Sequence, residues 1–298
     1  MGNQIVNAFL KVLGPLLFLI GIIGNFLIVI AVWKKRSLRS TANYLLLNIA
    51  AADIICLVFL PLTLVEKYLS FQGLFSDVLC KFFVSFHVPL TASFASILTL
   101  VVLSVERYHA VVKPLNAGKR LREGTVKYAI IAVWITAILL TLPTYIYSVY
   151  QNTSKCDYSL QEKYQKIYVS ILMSLAVFIP FIVIIFCYFR IIRELYFKNK
   201  VEPQNVAAEE DARAKRKLVK FSLSLTSAFI LCFFPLTITV ILDKLYGGFA
   251  TKIYNYTGFI FVLQSVLNPF LYTFQSTNFR QAFKEMLKFK LCPCCKLN

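Results

Sequence analysis

From Phe82 to Val105 the sequence carries no Asp, Glu, Lys or Arg, and His87 is the one side chain there that titrates near neutral pH. A stretch this long, apolar on every face rather than along one stripe, does not suit a water-facing surface, and it is long enough to cross a bilayer as a helix. A helix from Cys80 to Arg107 would run roughly 40 Å, against a hydrocarbon core of about 30 Å. Cys80 is therefore expected in water on one side and the charged pair Glu106-Arg107 on the other. The pattern recurs along the chain, giving seven spans at about residues 12–33, 42–68, 81–106, 127–149, 164–190, 218–242 and 252–274. The expected fold is an all-α membrane protein. A short outer amino tail (1–11) precedes a seven-helix domain (12–274), and an amphipathic helix with a cytoplasmic tail (275–298) follows it.

A soluble domain is excluded by the balance of side chains, 58% hydrophobic and 15% charged. The net charge of +18 invites a nucleic-acid reading, but its distribution speaks against one. Three-quarters of the 32 Lys and Arg residues fall on one side of the seven spans. That skew places the basic side in the cytoplasm and the amino end outside, as in a multi-pass membrane protein. The basic patches then read as topology signals and lipid contacts. The first apolar run ends in Lys34-Lys35-Arg36 with no small-residue cleavage site, so it reads as a retained span rather than a signal peptide.

Polar residues within the spans are costly and therefore informative. Gly21 and Gly24 permit close helix approach, and Asn25 is expected to face the bundle. Asp53 is the single carboxylate deep inside a span. It is either a protonated, hydrogen-bonded structural group or a cation or proton site, with Ser93, Ser96, Ser265 and Asn268 as candidate partners. Spans two to seven each hold a proline (Pro61, Pro89, Pro143, Pro180, Pro235, Pro269), which suits kinked helices around a cavity.

Cys80 and Cys156 are the two cysteines expected at the outer, oxidising face, which predicts a disulfide; Cys56, Cys187 and Cys232 read as buried apolar fillers. Asn152 opens a glycosylation sequon in the same outer loop as Cys156. The stretch before the sixth span has acids early and bases late, which predicts a helix running on beyond the membrane. After the seventh span, Phe279, Phe283, Met286 and Leu287 share one face of an interfacial helix. Cys292, Cys294 and Cys295 follow beside basic residues and suit palmitoylation; they supply too few ligands for a metal site.

Along nearly its whole length the chain resembles the rhodopsin-like (class A) G-protein-coupled receptors. The residues that carry the likeness are Gly24-Asn25; Leu45 to Asp53; Cys80 and Glu106-Arg107-Tyr108; Trp134; Pro180 and Tyr188; Phe229, Cys232 and Pro235; and Asn268-Pro269-Phe270-Leu271-Tyr272. The resemblance implies an outer ligand cavity and an inner one that opens to a heterotrimeric G protein as the sixth helix moves outward, with arrestin and receptor kinase as further partners. It implies an activation switch made of Glu106, Arg107, Tyr108, Tyr188, Phe229, Phe233, Pro235, Asn268, Pro269 and Tyr272. Glu106 would hold the Arg107 guanidinium at rest by a charge-assisted bond. The resemblance also assigns Asp53, Ser96, Ser265 and Asn268 to an allosteric sodium ion, the one metal expected; no other cofactor is implied.

Several residues depart from the family pattern. Glu106 stands where Asp is usual, and Phe233 replaces a tryptophan, leaving a steric toggle without an indole donor. The Cys80–Arg107 spacing is two residues longer than usual, which predicts a bulge near Pro89. The outer half of span three lacks an acid and Val262 stands where a retinal lysine would be, so amine-receptor and opsin readings fall. A peptide is the leading ligand class, with Glu66, Tyr68, His87, Phe233, Asp243 and Gln264 as candidate contacts. A small lipophilic or orphan ligand is the alternative. A transporter would show internal repeats, and a membrane enzyme would show clustered titratable groups at membrane depth. The two histidines, His87 and His109, are far apart on their helix.

Overall fold

A computed structural model of the chain describes residues 2–65, 75–114, 120–151, 155–198, 206–246 and 251–291. Among these, seven helices are long and apolar enough to cross a membrane. In chain order the spans are Leu13–Lys34, Thr41–Phe59, Ser76–Val112, Val126–Tyr147, Glu162–Phe197, Ala212–Asp243 and Tyr256–Gln275. The candidates Glu66, Tyr68, Asn152, Cys292, Cys294 and Cys295 lie outside the described residues. The helix that holds the sixth span begins at Val206, beyond the membrane-length part, as its charge order predicts.

The third span is the most enclosed and the fourth the least. Ile28, Leu45, Ile49, Phe94, Ile97 and Leu100 are fully buried where the first three spans meet their neighbours. Asn48 ties three spans together: its amide donates to Thr99 Oγ1 at 2.8 Å and accepts from Trp134 Nε1 at 2.9 Å. Asn25 does face the bundle, donating to Gly21 O at 2.9 Å and to Ser265 O at 2.8 Å. Each of these amides satisfies backbone or side-chain groups that lipid could not.

The stretch from Cys80 to Arg107 is not one continuous α-helix. Cys80–Val84 forms a π-helical turn, Ser85 is extended (φ −79°, ψ 156°), and an α-helix restarts as His87–Val112. The surplus residues are thus absorbed upstream of Pro89, not at it. Pro89 sits in the first turn of the restarted helix, where the missing N–H has no intrahelical partner to lose. Of the six prolines expected to kink their spans, Pro143, Pro235 and Pro269 lie inside helices. Pro61, Pro89 and Pro180 stand at helix starts or breaks instead.

Between the fourth and fifth spans, Ser148–Gln151 and Lys155–Tyr158 pair as an antiparallel hairpin, with Tyr150 opposite Cys156 and Ser148 opposite Tyr158. The sequence reading had a polar loop here. Cys156 is disulfide-bonded to Cys80, with their Cα atoms 5.6 Å apart. The Tyr150 backbone N–H also donates to Asp77 at 2.9 Å, so the hairpin is tied at two points to the start of the third span.

After the seventh span comes the helix Thr277–Leu291. Its apolar face turns partly inward: Phe279, Ala282 and Phe283 are buried, and Phe279 stacks on Tyr272 with ring centroids 5.6 Å apart. Glu285 pairs with Lys35 at the end of the first span. The face expected to lie on lipid is therefore used in part to close the bundle.

Candidate functional site

On the hairpin's side of the bundle lies a cavity of about 170 Å³ lined by residues of the hairpin and of the third to seventh spans. Phe86, Phe233 and Phe261 form one wall, with centroids of Phe86–Phe261 at 5.8 Å and Phe233–Phe261 at 5.5 Å, both edge-on. Leu172, Met173 and Val240 continue the apolar lining, and Tyr158 and Tyr168 bring hydroxyls from the hairpin and the fifth span. Phe233 stacks on Phe229 at 5.8 Å and lies 6.5 Å from Phe94. The aromatic contacts thus run without a gap from the cavity into the core beneath Pro235.

Of the expected ligand contacts, Phe233 lines this cavity, whereas His87, Asp243 and Gln264 do not. His87 is buried behind Tyr158, with Nε2 at 2.6 Å from Ser148 Oγ and its ring against Tyr145 and Tyr158. Ser148 spends its hydroxyl hydrogen on Thr144 O at 2.7 Å, so it accepts from His87 Nε2–H. Burial pushes the Tyr158 hydroxyl up to about 12, so it remains protonated and bonded to Ser148. These groups read as the hairpin's anchor. Tyr158, Tyr168, Thr237 and Phe261 were not singled out as contacts from the sequence. On the seventh span the signal was present: Phe261, Gln264, Ser265 and Asn268 recur at helical spacing on one face.

Midway down the bundle Asp53 is 2% exposed. Ser265 Oγ donates to its Oδ1 at 2.9 Å, Asn268 Nδ2 to its Oδ2 at 2.5 Å, and Gln264 Nε2 reaches Oδ1 at 3.5 Å. Gln264 therefore belongs to the carboxylate cluster, not to the mouth. Ser96 is buried, its Oγ without a hydrogen-bond partner among the described residues, and Ser93 Oγ donates to Pro89 O at 2.7 Å. The Asp53 carboxylate is gathered with one hydroxyl and two carboxamides, whose oxygens are hard ligands. That set fits a small hard cation. Cys56, Cys187 and Cys232 are buried free thiols, as expected of fillers.

At the end of the bundle away from the hairpin Arg107 Nε lies 3.2 Å from Glu106 Oε2, and both side chains are mostly buried. Their alignment makes no directed hydrogen bond, so charge alone holds the pair. Arg120 brings a second cation 4.0 Å from the other Glu106 oxygen, a partner missed in the sequence. Tyr188 OH lies 3.4 Å from Thr226 Oγ1. Tyr272 is fully buried between Phe221 and Phe279, its hydroxyl without a hydrogen-bond partner among the described residues. Tyr108 lies edge-on to His109 and beneath Lys113. In this arrangement Glu106, and neither Tyr188 nor Tyr272, holds Arg107.

Comparison with known proteins agrees with this geometry. Residues 24–272 match the family described as 7 transmembrane receptor (rhodopsin family). The chain is 28% identical over 288 residues to the somatostatin receptor type 5 of Rattus norvegicus, covering 93% of this chain and 78% of that receptor. It is 27% identical over 304 residues to the allatostatin-A receptor of Bombyx mori (98% of this chain, 82% of that one). To the apelin receptor B of Danio rerio it is 29% identical over 306 residues (94% and 83%). The match spans all seven helices and the residues from Gly24 to Tyr272, and the chain belongs to the rhodopsin family of seven-transmembrane receptors: it is a G-protein-coupled receptor, not an enzyme.

Proposed function

We propose that this receptor sits in the plasma membrane with its amino end outside, binds an extracellular peptide, and activates a heterotrimeric G protein by outward movement of the sixth helix. The observation that carries the peptide assignment is that the similar receptors are named for somatostatin, allatostatin-A and apelin. The hairpin supports it, because a disulfide and the Asp77 contact hold it beside the cavity mouth. The ligand presses on Phe233 and Phe261, the contact passes through Phe229, and the sixth span pivots at Pro235. Only a ligand that binds the active arrangement more tightly shifts the equilibrium. On the inner side Arg107 leaves Glu106 and meets the G protein. Arrestin, a receptor kinase and anionic lipids would use the same basic face. Asp53, Ser96, Ser265 and Asn268 would hold a sodium ion, whose charge offsets that of the carboxylate in the resting state.

A small lipophilic ligand is the second reading, favoured by the apolar lining of the cavity. A single experiment separates the two. Cells expressing the receptor with a promiscuous G protein are exposed in parallel to a peptide library and a lipid library. A response confined to peptides and abolished by protease treatment of the active well supports the proposal. A response confined to lipids overturns the peptide assignment and leaves the receptor assignment intact.

A further inference from the structure

Among the described residues that line the outer cavity there is no Asp, Glu, Lys, Arg or His. Its hydroxyl donors are already committed: Thr144 donates to Thr141 O at 2.6 Å, Thr237 to Phe233 O at 3.1 Å, and Tyr168 to Leu140 O at 2.8 Å. Gln165 is the one lining side chain offering an amide without a partner among the described residues. A charged group entering here would leave water with no counter-ion and few free donors, which desolvation strongly disfavours. The attraction of a cation to three phenyl faces is too weak to offset that desolvation.

A neutral ring meets the opposite conditions. An apolar cavity of about 150 Å³ accommodates a benzene molecule, and this one measures about 170 Å³. Phe86, Phe233 and Phe261 already meet edge-on at 5.5–5.8 Å, the geometry in which a further ring is added at ordinary aromatic spacing. Gln165 can satisfy the single polar atom of a phenol or an indole.

On the reading of this chain as a peptide receptor, we propose that the cavity takes one uncharged aromatic side chain of the ligand, with Phe86, Phe233, Phe261 and Gln165 setting that specificity. The ring rests on Phe233, so the same contact that selects the ligand bears on the sixth span.

The test uses the full chain in lipid nanodiscs and the N-acetyl amides of phenylalanine, tryptophan, lysine and glutamate as probes, with saturable binding read from the shift in thermal unfolding. The phenylalanine and tryptophan amides should bind about tenfold or more tightly than the charged pair. Val240→Trp, which fills the space, should abolish that binding, and Val169→Asp should reverse the order in favour of the lysine amide. Should Val240→Trp fail to fold, the probe series and the Val169→Asp reversal decide alone. Lysine amide binding the unaltered receptor as tightly as phenylalanine amide, or no probe binding the folded receptor saturably, would overturn the proposal. Activation in cells separates it from the peptide assignment. A peptide agonist without an aromatic residue removes the cavity proposal alone, whereas binding of the phenylalanine amide by a receptor that answers no peptide removes only the peptide assignment.

Discussion

At Gly24 an added Cβ would stand 2.6 Å from Pro269 Cγ and 2.7 Å from Pro269 Cβ, and a proline ring cannot swing aside. The absence of one methyl therefore sets how closely the first span approaches the seventh. That approach in turn lets Asn25 reach the backbone oxygen of Ser265, whose hydroxyl belongs to the Asp53 cluster. Gly24→Ala should lower the stability of the purified receptor by about 1–3 kcal/mol, the usual cost of overpacking. Gly14→Ala, where an added Cβ meets nothing, should leave the unfolding midpoint in place. Equal midpoints for the two variants would show that the helices shift without cost. Asp53 makes a second residue-scale prediction. A cation favouring one state changes agonist affinity through its differential binding, so affinity should fall when sodium replaces an inert cation, and Asp53→Asn should remove that dependence. A variant retaining the full sodium effect would place the ion elsewhere. The sequence revealed Asp53, Ser265 and Asn268 because intramembrane polar groups are few. The residues alone left Ser93 and Ser96 both open, since both are serines on the same helix and only packing decides which bonds its own backbone; the resemblance chose Ser96.

The third span shows how an element departs from its sequence. Its uncharged run gives length and location, but not the π-turn at Cys80–Val84 or the break at Ser85. Those follow from the disulfide and the hairpin, which fix Cys80 while the helix below packs in its own register. The disulfide joins residues 76 apart in sequence, and chain-entropy models give such a loop on the order of 4 kcal/mol. Cys80→Ser and Cys156→Ser should each reduce surface expression, and the double variant should be no worse than either. Losses that add would mean that the two cysteines act separately. The sixth span makes a different prediction. Phe229 is buried and stacked on Phe233 yet does not line the cavity. Phe229→Leu should lower the maximal agonist response while agonist affinity stays within about threefold, because it alters the transmitting contact rather than the binding one. Reduced affinity with an unchanged maximum would place Phe229 in the ligand site.

At the scale of the whole molecule, the seven spans and the family were legible because membrane burial leaves little freedom in which residues a helix may carry. The ligand cavity was less legible. Its walls come from five spans and the hairpin, and aromatic residues such as Tyr158 look in sequence like members of an interfacial belt. Glu106-Arg107 was legible in the sequence but Arg120 was not, because its approach to Glu106 is set by the fold rather than by helical spacing. The account joins these ends: an outer ligand, an aromatic path along the sixth span, and an arginine released to a G protein. Nucleotide exchange on a purified heterotrimeric G protein, catalysed by the receptor in nanodiscs with and without an activating peptide, tests that claim most directly. The account predicts that the peptide accelerates exchange by the unaltered receptor and not by Arg107→Ala at equal peptide binding; undiminished acceleration by Arg107→Ala, or no acceleration by a peptide that binds, would contradict it.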